Sequence, residues 1–539
     1  MKSILQHNFY ISFLLTAVLF IAFFLLFNSC YNSDVDIYFL YTLSGGYGNN
    51  PSALLHYSDI GHPFLSNIVA ALFRYFPGFN WYSFSLVLFH FISCVSLLLS
   101  FLHYFRKWYA IGAFIIFFLF IESRLLLGFN FSGAALSGVM SGSISLLLYY
   151  IKNKEGVKIS RKRLFFFLLL IFMGGLMRIH YMALFSLFAA WMGLFFLPRS
   201  KFINFIKIQF LLVLLLVISF LGQRYYFQEK IPGWKTEEKM RKAKIYISNH
   251  PSKKSSIRYT GIEKLKQDLV RISFLYDNKI TDYNAVENFG KENTQSFKII
   301  PDHFPSFYWL FMDVRLYLFL FAGMIIFLVM NKNRKFLFRV ICMSLFYIIT
   351  FVTLWLYFKY TEVILLTVLA SMLLSGFLCL DRVSPTDLSV KTAFFLALLS
   401  CTWMIIRLAR MSDQHKKEIL YAHGVIKELH EHNNVLFVDA GSFFNFNLSI
   451  WDVPEKYPIH NFVYNELFFS NSYKSQFTRY GITDLMKEIP VRDNIYLTGQ
   501  GASILTEYYW LLYNRTVRAE KVPGFQYIDA YRIRPFNNE

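Results

Sequence analysis

Apolar runs alternating with short polar intervals organise the first 410 residues of the chain. Runs at 9–27, 82–105, 109–121, 125–151, 164–180, 181–197, 206–222, 307–330, 336–357, 363–380 and 392–410 are each long enough, or nearly so, to cross a bilayer as an α-helix. The run at 109–121 is short, and Glu122-Ser123-Arg124 after it reads as a tight turn. Arg178-Ile179-His180 separates two further runs, as a turn between two short helices or as a break within one. The pattern predicts a polytopic α-helical membrane protein with about eleven transmembrane helices.

Two regions follow other patterns. In 60–76, Ile60-Gly61-His62-Pro63 leads into a stretch too apolar for a solvated loop and too short to span, which suits a helix lying in the membrane interface. Beyond residue 411, segments 435–441 and 494–499 read as strands ending in glycine turns, with helical patterns at 413–431 and 501–513. The chain therefore divides into a transmembrane domain (1–410) and a small C-terminal α/β domain (411–539). The first holds an outer loop at 28–81 and a long outer loop at 223–306.

Charge orients this arrangement. Arg106-Lys107, the 152–163 loop, Arg199/Lys201/Lys207, Lys332/Arg334/Lys335/Arg339 and Arg382/Lys391 fall on one side, and short Lys- and Arg-rich loops stay cytoplasmic. The N-terminus is then inside, and both outer loops and the C-terminal domain are outside. The long loop is itself basic, but long loops translocate largely regardless of charge. Composition agrees with a membrane protein, with 55% hydrophobic and 16% charged residues and a mean hydropathy of +0.40. The net charge of +20 raises the question of nucleic acid. Its spread through loops and the lack of any recognition motif argue against such a partner. The five cysteines (Cys30, Cys94, Cys342, Cys379, Cys401) lie in or at the ends of apolar runs, without metal-ligand spacing or a disulfide framework. The first run lacks a small-x-small cleavage site and reads as an uncleaved transmembrane helix.

Chemistry is expected first at Asp34 and Asp36, where the first helix leaves the bilayer, because ionisable groups beside lipid are functional candidates by default. A carboxylate facing a cavity there can take a proton from an incoming hydroxyl; the plainer reading is a solvated anchor that ends the helix. Glu122 is either a second acid of the same site or an internal partner of Arg124. His62 precedes the interfacial helix, where Pro63 alone explains a helix start. Arg178, His180, Arg224, Arg315 and Lys359 lie in or beside apolar runs and need partners. Phosphate suits a guanidinium, which grips it bidentately. Snorkelling to the interface, or a Lys359–Glu362 pair, requires no ligand. The long loop, with Lys235-Thr236-Glu237-Glu238-Lys239-Met240-Arg241-Lys242, reads as an amphipathic helix plus flexible connection, serving as a lid or as a spacer. No phosphate-binding glycine loop, helical zinc-protease motif or nucleophile elbow is present in the sequence.

One helix running outward, an acidic loop of D-x-x-x-Y form (Asp34 to Tyr38), His62-Pro63-Phe64-Leu65 in the place of an "hPPL" segment, and an interfacial helix ending near Phe79-Asn80-Trp81-Tyr82 follow in order. This resembles the GT-C superfamily of integral membrane glycosyltransferases. Phe64 stands where the pattern has a second proline, and Val35 separates two acids that are often adjacent. The resemblance implies a polyprenyl-phosphate-linked sugar donor and a glycan, glycolipid or protein acceptor. Transfer would invert the anomeric centre at the outer face of a bacterial inner membrane. Asp34 or Asp36 would be the general base, with Glu122 a further acid. Arg178, His180, Arg224, Arg315 and Lys359 would bind the donor phosphate, and Tyr38 and His62 would line the substrate cavity. No cofactor is certain, and a divalent metal stays open. An O-antigen or capsule polymerase, and a flippase or transporter of lipid-linked saccharide, are the rival readings. Residues 411–539 count against the polymerase, and the acids gathered at helix exits count against the transporter.

Overall fold

The computed structural model describes residues 2–32, 34–48, 50–52, 63–152, 161–230, 234–249, 260–277, 280–294, 304–357, 362–381, 383, 387–441, 446–463, 472–499 and 501–536. His62 and Lys359 lie outside these, as does the Asp34 side chain. In chain order the structure begins with α1 (Lys2–Leu26), β1 (Cys30–Tyr31), α2 (Asp34–Ser44), α3 (Pro63–Tyr75), α4 (Trp81–Tyr104), α5 (Lys107–Phe117), a π-helical turn (Phe118–Glu122), α6 (Ser123–Leu127), β2 (Gly128–Phe129) and α7 (Phe131–Lys152). It continues with α8 (Arg161–Met177), α9 (Ile179–Phe196), α10 (Arg199–Lys230), α11 (Trp234–Asn249), α12 (Gly261–Arg271), α13 (Tyr283–Asn293), α14 (Phe304–Met330), α15 (Arg334–Tyr357), α16 (Glu362–Leu380) and α17 (Asp387–Glu431). Then come β3 (Leu436–Asp439), β4 (Phe462–Val463), α18 (Ser472–Arg479), α19 (Leu485–Glu488), β5 (Ile495–Thr498), α20 (Gly501–Tyr513), β6 (Val517–Lys521) and β7 (Ala530–Pro535).

Among the described residues, nine helices are long and apolar enough to cross a membrane. The expected spans at 164–180 and 307–330 correspond to α8 and α14, which fall short of that criterion over their described residues. Leu14, Val18, Ile21 and Leu25 stand exposed on α1, while Phe20 and Phe23 are buried against the bundle. An apolar exposed face of this kind is stable only against lipid. At the centre, α7 is buried from Phe131 to Tyr149. Its small residues let α8 approach closely: a Cβ at Gly142 would come within 2.8 Å of the Phe167 carbonyl oxygen, and one at Gly174 within 2.7 Å of that of Ala135. Such contacts between small residues drive helix association where no water remains to be expelled.

The tight turn expected at Glu122-Ser123-Arg124 is helical instead, inside a continuous passage from Lys107 to Leu127. The three residues are buried and their charged groups find partners within the bundle, so nothing forces the chain out. At Arg178 the chain does break: one extended residue (φ −151°, ψ 95°) joins α8 to α9.

Outside the bundle, a five-stranded sheet has the order β4-β3-β5-β7-β6. Its first three strands are parallel, and β7 runs antiparallel to both of its neighbours, β5 and β6. The long loop belongs to this core rather than hanging free: Leu265, Leu269 and Phe274 are buried against the sheet and α20. There the Tyr508 hydroxyl also donates to Asp277 Oδ2 at 2.6 Å. Helix α17 runs through residue 411 without interruption, and its Glu428 carboxylate accepts the backbone N–H groups of Gln526, Tyr527 and Ile528.

Segment 446–463 lies on residues 31–46, which follow α1. Tyr31 N–H donates to the Leu448 carbonyl (3.1 Å) and Ile459 N–H to that of Gly46 (3.1 Å), while the Tyr41 hydroxyl donates to the carbonyl of Tyr457 (2.5 Å). Beneath it, β1 pairs in parallel with β2, Cys30 opposite Gly128 and Tyr31 opposite Phe129.

Candidate active site

Asp36 is buried, and its Oδ1 accepts from the Tyr82 hydroxyl at 2.5 Å and from the Phe131 backbone N–H at 2.9 Å. Phe131 opens α7, whose first turn has N–H groups without intrahelical acceptors and the positive end of the helix dipole. Asn130 caps the same turn by accepting from Gly133 N–H at 2.6 Å. A carboxylate therefore holds α2, α4 and α7 together at one point. Asp34 begins α2 two residues earlier. Because this segment is helical, positions 34 and 36 fall on different faces of α2.

Tyr82 is set by its neighbours. Asn80 caps α4 by accepting from Ser83 N–H at 3.1 Å. The Asn80 amide also donates to the Tyr31 hydroxyl (3.0 Å) and to the carbonyls of Ile450 (3.2 Å) and Asp452 (2.8 Å). Tyr31 stacks on Tyr82 and is hydrogen-bonded to Ser83. One side chain thus joins a helix start, the site wall and the C-terminal domain. Asn80→Ala is expected to lower stability by about 2 kcal/mol, the cap plus newly unpaired polar groups, read as a lower thermal unfolding midpoint in detergent.

Arg178 reaches the same end of α7 from the other side: its Nε donates to Ser132 Oγ at 3.2 Å, and its guanidinium lies 4.8 Å from the centre of the Phe131 ring. Between α2, α3, α4, α7 and α8 opens an apolar groove of about 300 Å³, lined among others by Leu43, Val69, Tyr82, Leu86, Phe131 and Met177. Tyr82 and Phe131 are shared between the groove and the Asp36 cluster. Arg178 adjoins the groove through Phe131, one of its lining residues.

The remaining expected residues are distributed more widely. Glu122 is buried in the bundle, with Oε1 2.6 Å from His90 Nδ1 and with both oxygens accepting from Ser137 Oγ (3.2 and 3.1 Å). Arg124 pairs with Glu362 instead of Glu122. Arg224 pairs with Glu238 of α11 at 3.0 Å. Arg315 is exposed, 5.8 Å from the centre of the Trp403 ring. His180 is exposed on the first turn of α9. Tyr38 is buried between Phe39 and Tyr47. Sequence reasoning passes over His90 and the roles of Tyr82, Asn80 and Phe131, although Asn80 before an apolar run is a legible helix cap. It also passes over a Cys30, His415 and Glu418 group whose ligand atoms all lie within 4.8 Å of one another. Burial, helped by the Glu418 carboxylate, pushes the Cys30 thiol up to about 12.

In overall fold the chain is similar to the crystal structure of ArnT from Cupriavidus metallidurans in the apo state, with a TM-score of 0.52, 9% sequence identity and 98% of each chain covered. For ArnT from the same organism bound to undecaprenyl phosphate, the TM-score is 0.49 at 10% identity, over 96% of this chain and 97% of that one. At such identities the likeness is one of fold. No family model and no curated protein matches the chain.

Proposed function

We propose that this protein is a GT-C-type glycosyltransferase that moves a sugar from a polyprenyl-phosphate donor to an envelope glycan, glycolipid or protein acceptor at the outer face of the membrane. The observation that carries the reading is the junction at the start of α7. There a buried carboxylate, an arginine and the mouth of an apolar groove meet around Tyr82 and Phe131. The full-length fold likeness to ArnT, a GT-C membrane glycosyltransferase, and the D-x-x-x-Y and His62-Pro63-Phe64-Leu65 segments support it.

In this reading the polyprenyl tail occupies the groove and the phosphate rests against Arg178. Asp34 takes the proton from the acceptor hydroxyl, which attacks the anomeric carbon in line. The C–O bond to the lipid phosphate breaks, the sugar inverts, and Arg178 stabilises the charge growing on the departing phosphate. Asp36 is assigned the anchoring role, because its Oδ1 already accepts two hydrogen bonds in a buried position.

The test is mass spectrometry of envelope glycolipids and polysaccharides from wild type, a deletion strain and complemented strains. Loss of one sugar increment in the deletion, with the lipid-linked donor persisting, supports transfer. Donor accumulating on the inner face supports a flippase instead. Arg178→Ala is expected to lower the product about 100-fold, and Arg178→Lys to recover only part of it, since an ammonium lacks the bidentate fork.

A further inference from the structure

We infer that Cys30, His415 and Glu418 form a divalent-cation site of the zinc type, separate from the proposed donor pocket. His415 and Glu418 are spaced i, i+3 on α17 and so share one face. Cys30 arrives from β1, fixed by its pairing with Gly128 and its bridge to Ser449. The three ligand atoms, a sulfur, an imidazole nitrogen and a carboxylate oxygen, all lie within 4.8 Å of one another. A cation drawn between them closes that spacing by small side-chain movements. Cys30 is 1% exposed and His415 9%. His415 Nδ1 is buried and has no hydrogen-bond partner among the described residues.

The surroundings are those of a supported ligand set. The Gln414 amide donates to one Glu418 oxygen at 2.8 Å and the Asn447 amide to the other at 2.9 Å. These bonds orient the carboxylate while leaving lone pairs for an ion, as outer partners do around metal-bound carboxylates. Thiolate, imidazole and carboxylate together favour Zn2+ over the harder Mg2+ and Ca2+, with water completing a tetrahedron. On binding, the thiol proton leaves to solvent and the sulfur–metal bond forms. The ion would clip the end of the first outer strand to α17, six positions before Asp36.

The experiment uses the full-length protein in detergent, loaded with Zn2+ alone, dialysed against metal-free buffer and analysed by mass spectrometry for metal. About one zinc per chain is expected, falling to background in Cys30→Ser/His415→Ala. Loading with Co2+ is expected to produce a thiolate-to-cobalt charge-transfer band that Cys30→Ser abolishes. Wild type retaining no more zinc than the double variant overturns the proposal. So does a cobalt-loaded wild type without the thiolate band, a result that depends on no variant folding. Neither outcome bears on sugar transfer.

Discussion

Asp34→Asn is expected to reduce sugar transfer by about 10²- to 10⁴-fold, the range for loss of a general base, while the protein inserts and unfolds like wild type. Asparagine keeps the shape and hydrogen-bonding capacity of the side chain but cannot accept the hydroxyl proton. Asp36→Asn is expected to behave in the opposite sense. Its amide oxygen still accepts from Phe131 N–H and the Tyr82 hydroxyl, now without charge. Charge-assisted bonds are roughly twice as strong as neutral ones, so stability falls by about 1–2 kcal/mol and turnover only modestly. Product abundance per unit of membrane protein and the thermal midpoint in detergent separate the two. If the pattern inverts, with Asp36→Asn inactive at full stability and Asp34→Asn active, the base is Asp36.

His90→Leu is expected to destabilise the bundle by about 3 kcal/mol or more, because it strands Glu122 in a buried position. Both side chains are fully buried and 2.6 Å apart, and the neutral groups beside Glu122, the Ser137 hydroxyl and the Cys94 thiol, cannot replace the lost partner. The pair differs from a catalytic acid in how it responds to double replacement. His90→Leu/Glu122→Leu removes both groups together and is expected to recover most of the lost midpoint, since a buried pair exchanged for apolar residues is often neutral. A double variant as unstable as the sum of the singles overturns the structural assignment. A stable double variant without sugar transfer would return Glu122 to the chemistry.

These contrasts show what the amino-acid order reveals about this molecule and what it conceals. The membrane helices are legible because lipid demands long, almost uncharged runs, and that demand acts locally along the chain. The strands at β3 and β5 are legible for the same local reason, as short apolar runs that end in glycines, and Gly441 and Gly499 indeed adopt positive φ (80° and 88°). The fate of a charge is different, because it depends on a partner that can come from anywhere. Glu122 looks like a turn residue until His90, 32 positions earlier, is brought beside it. Asp36 meets a tyrosine 46 positions away and a backbone amide 95 away. Cys30 meets its neighbours on α17 only through the tertiary fold, which spacing rules cannot anticipate. Similarly, the amphipathic reading of the long loop falls on 235–242, within α11; only the fold shows that α12, further along the same loop, forms part of the wall of the C-terminal sheet.

Helix α17 has a further consequence. At 45 residues it is about 68 Å long, more than twice the hydrocarbon thickness of a bilayer. The C-terminal sheet thus rides on a mast stepped in the membrane; Glu428 lashes that mast to the 526–528 segment ahead of β7, and His423 lashes it to Asp452 in the segment that covers residues 31–46. If the chain acts as proposed, a cover mounted in this way leaves a sideways route, by which a lipid-borne donor would glide edge-on into the apolar groove between α2, α3, α4, α7 and α8. The aqueous side would then be left to the acceptor, and the two substrates would come in through different doors.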